Sequence, residues 1–185
     1  MREFRWDRKY VIRSDPFPHV LIAPVFSAAV AGKCLSLLAD VLWEYREGSF
    51  YRYMVPARNC VNEHIFSLIE PQRFQDLLEE TFRCKLETLR RIGIHRYEPT
   101  CGIGPHTDEL CRELRLVISL NAHWTSDQGG VWILARDSDL KTCRTLLPSM
   151  NNTAFAFATG ATSFHALSTC GKDAIYSIIG RFSRR

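Results

Sequence analysis

Helices packed against a β-sandwich or jelly roll, an α+β arrangement, are what this sequence predicts. Three observations carry that expectation. The chain has 185 residues, 46% of them hydrophobic and 24% charged, which suits one domain with a proper core. Two apolar patterns of helical period occupy the part before residue 92. After residue 92 that period gives way to many short apolar strands separated by turn-rich segments. The organisation expected is a single domain, 1–185, with helical support and an opening strand in 1–91 and a strand-built core in 92–185.

PHVLIAPVF (18–26) reads as an edge strand leading into the first helix. SAAVAGKCLSLLADVLWEYRE (27–47) starts at Ser27, whose hydroxyl can accept from a free first-turn amide. It places Val30, Cys34, Leu37, Leu38 and Val41 at helical spacing. PQRFQDLLEETFRCKLETLRR (71–91) puts Pro71 where a first turn tolerates a missing N–H. Phe74, Leu77, Leu78, Phe82 and Leu86 then share one face. IHRYE, RLVISLN, GVWILA, AFAFA, TSFHAL and AIYSIIGRF follow as strands, with EPTCGIGP, TSDQGG and LPSMNN as turns between them.

No apolar run approaches the ~18–20 residues of a membrane span. The start, MREFRWDRKYVIRSD, lacks the apolar centre of a secretory signal, so a cytoplasmic protein is expected. The 7 cysteines are odd in number, dispersed and without a CxxC pair. That pattern disfavours a zinc ribbon or dithiol redox site and fits free thiols in a reducing compartment. A formal charge of +4 is spread over scattered arginines, which disfavours nucleic acid as a partner.

The chemistry concentrates in RYEPTCGIGPHTDELCRELRLVISLNAHW (96–124). At a strand end, residues i and i+2 project from one face, so His106 and Asp108 can offer an imidazole nitrogen and a carboxylate oxygen to one point. A third donor would complete the 2-His-1-carboxylate face that suits non-haem Fe(II). His165, in TSFHAL, is the candidate. Each residue also has an ordinary reading, HTD as a polar strand end and His165 as a satisfied core histidine. The order of the neighbouring motifs tips the balance.

After Tyr97 and GIGPHTD come SLNAHW, then DQGGVWIL, then LPSMNNTAFAF, then HALSTCGKDAIYSIIGRF. In this order they resemble the Fe(II)/2-oxoglutarate-dependent oxygenases, in the branch that includes the prolyl 4-hydroxylases. DPFPHVLIAPVFS (15–27) is similar to that family's opening strand and helix. The resemblance covers 97–182 well and most of the chain more loosely. It implies a double-stranded β-helix, a cupin-like jelly roll, with Fe(II) held by His106, Asp108 and His165. It also implies an intracellular enzyme that splits O2, decarboxylates 2-oxoglutarate and forms an Fe(IV)-oxo species able to take hydrogen from a substrate C–H bond. Related halogenases carry a small residue where Asp108 stands here, so hydroxylation or a kindred oxidation is implied.

One place departs from the family. Its members anchor the far carboxylate of 2-oxoglutarate on an arginine or lysine some ten residues past the distal histidine, followed by x-Ser. Here that stretch reads Ile175-Tyr176-Ser177, with the serine and without the cation. A buried carboxylate needs a charge-assisted partner. Arg115, in the strand RLVISLN, and Lys172, in the turn before the last strand, are the favoured replacements. Arg181 shares the parity of Ser177 but is expected to lie too far along the strand. Tyr97, Ser119 and Ser177 complete the candidate co-substrate contacts. Arg112, after HTD, is a candidate partner for an acidic substrate group, and Trp124 and Trp132 read as packing residues beside the Gly129–Gly130 turn.

The expected substrate is a small molecule or an amino-acid side chain, bordered by Arg52, Tyr53, Arg58, Asn59 and Asn62, in a monomer or homodimer. Three other readings stay open: an iron oxygenase that does not use 2-oxoglutarate, a non-catalytic jelly-roll binding module, and a nucleic-acid demethylase.

Overall fold

The long strands of the second half alternate two apolar sets, and each set is buried on its own side of one sheet. A computed structural model describes residues 10–58, 60–89, 91–108 and 113–185. Its elements are β1 (His19–Ile22), α1 (Ala28–Ala39), β2 (Trp43–Glu47), β3 (Tyr51–Pro56), α2 (Cys60–Leu68), α3 (Pro71–Phe82), β4 (Ile92–Tyr97), β5 (Gly102–His106), β6 (Glu113–Ser119), β7 (Val131–Ala135), β8 (Cys143–Pro148), β9 (Thr153–Ala158), β10 (Phe164–Leu167) and β11 (Ile175–Ser183). Hydrogen bonds join the strands in the order β1-β9-β6-β11-β4-β3-β5-β10-β7-β8, with β2 paired to β3. β3 is the hinge of this curl, because it pairs with β4 at Met54↔Arg96 and with β5 at Tyr51↔Ile103. The result is a mostly antiparallel sheet curled into a jelly-roll half-barrel with three helices. β1 stands at one end of the order, as expected of an edge strand.

Side-chain parity assigns the two sides. Leu114, Leu116 and Ile118 of β6 pack with Ile178 and Phe182 of β11, and with Cys34, Leu38, Ile65, Phe74 and Leu78 of the helices. Val117 of the same strand joins Tyr97, Ile175, Phe155 and Phe157 in a second cluster inside the barrel, which Ile103, Trp132, Leu134 and Leu167 complete from the opposite wall. Central strands covered on both faces read as near-continuous apolar runs, which is the look of RLVISLN. Each fully buried Leu or Phe contributes roughly 1.5–3 kcal/mol, so the helices clamp the wall from which the site is built.

Both predicted helices start where expected and end early. Ser27 Oγ accepts from the Val30 amide at 3.3 Å, and Pro71 opens α3. α1 stops at Ala39, and the stretch from Trp43, expected as helix, is a strand instead. The cause is tertiary. The Trp43 ring lies 5.7 Å from that of Tyr176, the Arg96 guanidinium stands over it, and WEYRE pairs in register with β3. Strand pairing and ring packing outweigh a weak helix preference. α3 ends at Phe82 because Arg83 turns left-handed, with φ 50°; Leu86 is buried but beyond the helix. EPTCGIGP, expected as a turn, ends in β5, the strand that carries His106.

The six cysteines among the described residues are free, and Cys111 lies outside them. No helix of the described residues is long and apolar enough to cross a membrane.

Candidate active site

β5 and β10 are paired neighbours, and their register sets His106 opposite His165. The two ring centroids are 4.2 Å apart. Asp108, two residues past His106, brings Oδ2 to 3.8 Å from His165 Nε2. One donor atom from each of the three residues lies within 4.8 Å of the other two. His165 is buried and the other two are half-buried, so the cluster opens to one side.

Backbone carbonyls set the state of both rings. His106 Nδ1 is 3.0 Å from the Gly104 oxygen, and His165 Nδ1 is 2.9 Å from the Ser163 oxygen. A carbonyl accepts and cannot donate, so Nδ1 carries a proton in each ring and Nε2 is the nitrogen left for another partner. Burial, then the neighbouring His106, hold the His165 pKa down at about 4, so its ring is neutral at pH 7. Burial pushes the Asp108 carboxyl up, but the Arg115 hydrogen bond and charge outweigh it, and the net shift is downward. A neutral His165 ring and an ionised Asp108 carboxylate are therefore ready as donors, and His106 stands beside them.

Arg115 is committed to that carboxylate. Its side chain is 6% exposed, its Nε donates to Asp108 Oδ2 at 2.9 Å, and its Nη1 lies 2.9 Å from Glu113 Oε2. The Glu113 contact is an ion pair without a directed hydrogen bond, since neither atom finds one. Arg115, expected as a co-substrate contact, lines the cavity beside the three residues and donates to Asp108.

The triad faces a cavity of about 180 Å3, lined also by Phe50, Tyr51, Tyr53, His95, Arg115 and Arg181. Phe50, at the turn into β3, sets its ring 4.9 Å from that of His106. Tyr53 stacks on His95 at 4.1 Å with an 8° interplanar angle, and on Tyr51 at 5.0 Å. His95, Ile179 and Arg181 also border a larger chamber of about 810 Å3, which includes Asn62, Glu63, Glu87, Arg91 and Glu113.

The other candidates fall elsewhere. Tyr97, Ser119 and Ser177 are buried on the barrel interior but do not line the triad cavity; Tyr97 Oη sits 3.2 Å from His95 Nδ1, and Ser177 Oγ has no hydrogen-bond partner. Lys172 is ion-paired with Asp127 and does not line the cavity either. Trp132, expected as packing, packs with Phe155 and also lines the cavity. Trp124 donates to the Gly129 carbonyl, a structural contact as expected. Asn62 borders the outer chamber, while Asn59 and Arg112 lie outside the described residues.

Sequence reasoning passed over Phe50, Tyr51 and His95, and ranked Arg181 last. The signals were present: Tyr51 and Tyr53 are two apart, the strand period, and His95 has the parity of Tyr97. The alternation at 51–53 went unread because a helix was expected up to residue 47, whereas IHRYE was expected as a strand and His95 passed over within it.

Comparisons agree with this geometry. A sequence model of the 2OG-Fe(II) oxygenase superfamily matches residues 92–183, whereas no curated protein sequence matches the chain. Among solved structures, an oxidoreductase of the 2OG-Fe(II) oxygenase family from Burkholderia pseudomallei is 18% identical with a TM-score of 0.69, covering 90% of this chain and 86% of its own. A Pseudomonas putida prolyl-4-hydroxylase is 17% identical, TM-score 0.69, with coverages of 90% and 92%. A prolyl hydroxylase from Trichoplax adhaerens is 12% identical, TM-score 0.71, with coverages of 89% and 83%. At such identities the structures establish the fold, and the matched sequence, which spans the strands around HTD and His165, establishes the kinship: the chain belongs to the 2OG-Fe(II) oxygenase superfamily, a family of oxidoreductases that work with Fe(II), 2-oxoglutarate and O2.

Proposed function

We propose that this chain is a hydroxylase-type non-haem Fe(II) oxygenase, with His106, Asp108 and His165 as the iron ligands and 2-oxoglutarate as co-substrate. The observation that carries this reading is the convergence of three donor atoms within 4.8 Å. Two imidazole lone pairs and one carboxylate form the face that suits Fe(II) and leaves positions open opposite. When bound, the ion supplies O2 activation coupled to decarboxylation of the co-substrate, for attack on a C–H bond. The chain's own residues do the rest. The Gly104 and Ser163 carbonyls orient the rings, and Arg115 keeps Asp108 ionised. Phe50 and Phe157, with ring centroids 4.9 and 4.8 Å from His106 and His165, shield the donors from water.

The substrate is a small polar molecule or an amino-acid side chain. The outer chamber supports this reading, because its lining carries Glu63, Glu87, Glu113 and Arg91 and so matches a group bearing charge of either sign. Anaerobic titration of metal-free protein with Fe(II), with and without 2-oxoglutarate, tests the function. A weak visible charge-transfer band that saturates near one equivalent and needs both components is the expected result. Tight iron binding without a band would remove 2-oxoglutarate from the reading, and absence of iron binding would remove the enzyme.

A further inference from the structure

The family's usual carboxylate subsite is closed in this chain. Ile175 stands in place of the cation and is buried at 1% exposure, packed with Tyr97, Trp132 and Phe155 inside the barrel. None of Ile175, Ser177, Ser119 and Tyr97 lines the triad cavity. His95 borders that cavity, with Tyr53 stacked on its face and Tyr97 Oη beside its Nδ1. A dianion entering here meets rings and aliphatic side chains below the metal ligands, and an unpaired carboxylate among them is strongly disfavoured.

Three cations compete for the role, and the structure separates them. Lys172 is paired with Asp127, and Arg115 is paired with Asp108 and Glu113. Arg181 lies opposite Arg115 in the register of β11 against β6, lines both the triad cavity and the outer chamber, and is exposed. Among the described residues it has no carboxylate within ion-pair distance. It is the guanidinium at the mouth with its charge still to be matched, and a guanidinium fork suits a carboxylate in two-point contact. His95 adds a second ring nitrogen at the same border.

We propose that Arg181 holds the distal carboxylate of 2-oxoglutarate, so that the co-substrate runs from the triad across the barrel mouth towards the outer chamber and not down into the barrel. This rests on the function proposed above. It reverses the sequence-based ranking, in which Arg181 came last.

The test is a binding cycle on the anaerobic Fe(II) protein, read by the charge-transfer band. The ligands are 2-oxoglutarate and 2-oxopentanoate, which has the same chain length without the distal carboxylate. Arg181→Ala is expected to weaken 2-oxoglutarate by about 10- to 100-fold, the range for one hydrogen-bonded charged contact, and to leave 2-oxopentanoate and Fe(II) affinity unchanged. Arg181→Lys is expected to recover part of the loss. Equal weakening of both ligands, or none, would overturn the assignment while leaving the iron and co-substrate reading intact. A wild-type protein that binds Fe(II) but never 2-oxoglutarate would overturn that reading first, and the assignment with it.

Discussion

Two backbone carbonyls, those of Gly104 and Ser163, decide what His106 and His165 can do, because each fixes the proton on Nδ1. His106→Ala removes one donor of three, and loss of stoichiometric Fe(II) binding is expected; retained binding would sink the triad. Arg115 donates to Asp108 and, under the proposed function, acts through it as a positioning residue. Arg115→Ala is expected to raise the Fe(II) dissociation constant by roughly 10- to 100-fold, measured by competition with a chelator, as is usual when a ligand loses its partner. His95 is a different kind of residue, a neutral ring held at a pKa of about 4 by burial and then by the Arg181 charge, against 6.5 ordinarily. Between those values the unfolded chain binds a proton that the folded chain refuses, so stability falls as the pH drops from about 6.5 towards 4. In metal-free protein, His95→Gln is expected to lessen the drop in melting temperature between about pH 7 and pH 5. An unchanged slope would place that proton uptake elsewhere.

At the scale of elements, the site depends on strands being brought together at fixed heights. β10 is tied to β7 through its whole length, and the chain after it is tied to the Gly129–Gly130 turn by the Gly130 amide, which donates to the Thr169 carbonyl at 3.3 Å. Gly129 has φ 68°, and a Cβ there would run into the Thr169 carbonyl oxygen. Gly129→Ala is therefore expected to cost about 2–3 kcal/mol, seen as a lower urea midpoint, from backbone strain and collision together. A midpoint equal to wild type would mean the turn yields freely. The β2–β3 hairpin supplies the aromatic wall, and the sequence half reveals it. WEYRE and YRYMV each alternate, yet the apolar residues before them continue a helical period, and a local pattern cannot say that Trp43 will find Tyr176 and Arg96. The helix starts were legible because caps are local: Ser27 and Pro71 act within one turn. The helix ends were not, because they answer to contacts far along the chain.

For the whole molecule, ligand binding and folding are linked, since the three donors come together through folding from β5, the stretch beyond it and β10. Fe(II) at a hundredfold excess over its dissociation constant is expected to add about 2.7 kcal/mol, a melting-temperature rise of roughly 5–10 °C for a chain of this size. A chelator should reverse the rise, and His106→Ala should show none; an equal rise in that variant would place the ion elsewhere. The sequence by itself determined the fold class and marked the three residues, His106, Asp108 and His165, that folding brings together. Strand alternation, cap residues and the order of motifs around HTD and His165 are short-range facts, and each keeps its meaning wherever the chain goes. Tertiary structure alone decided which of the three candidate cations is left without a carboxylate partner among the described residues. Arg115, Lys172 and Arg181 are equivalent as letters, but partners from other segments neutralise the first two, while sheet register sets the third at the mouth. Charge pairing is a property of positions in space, and strands distant in sequence create those positions.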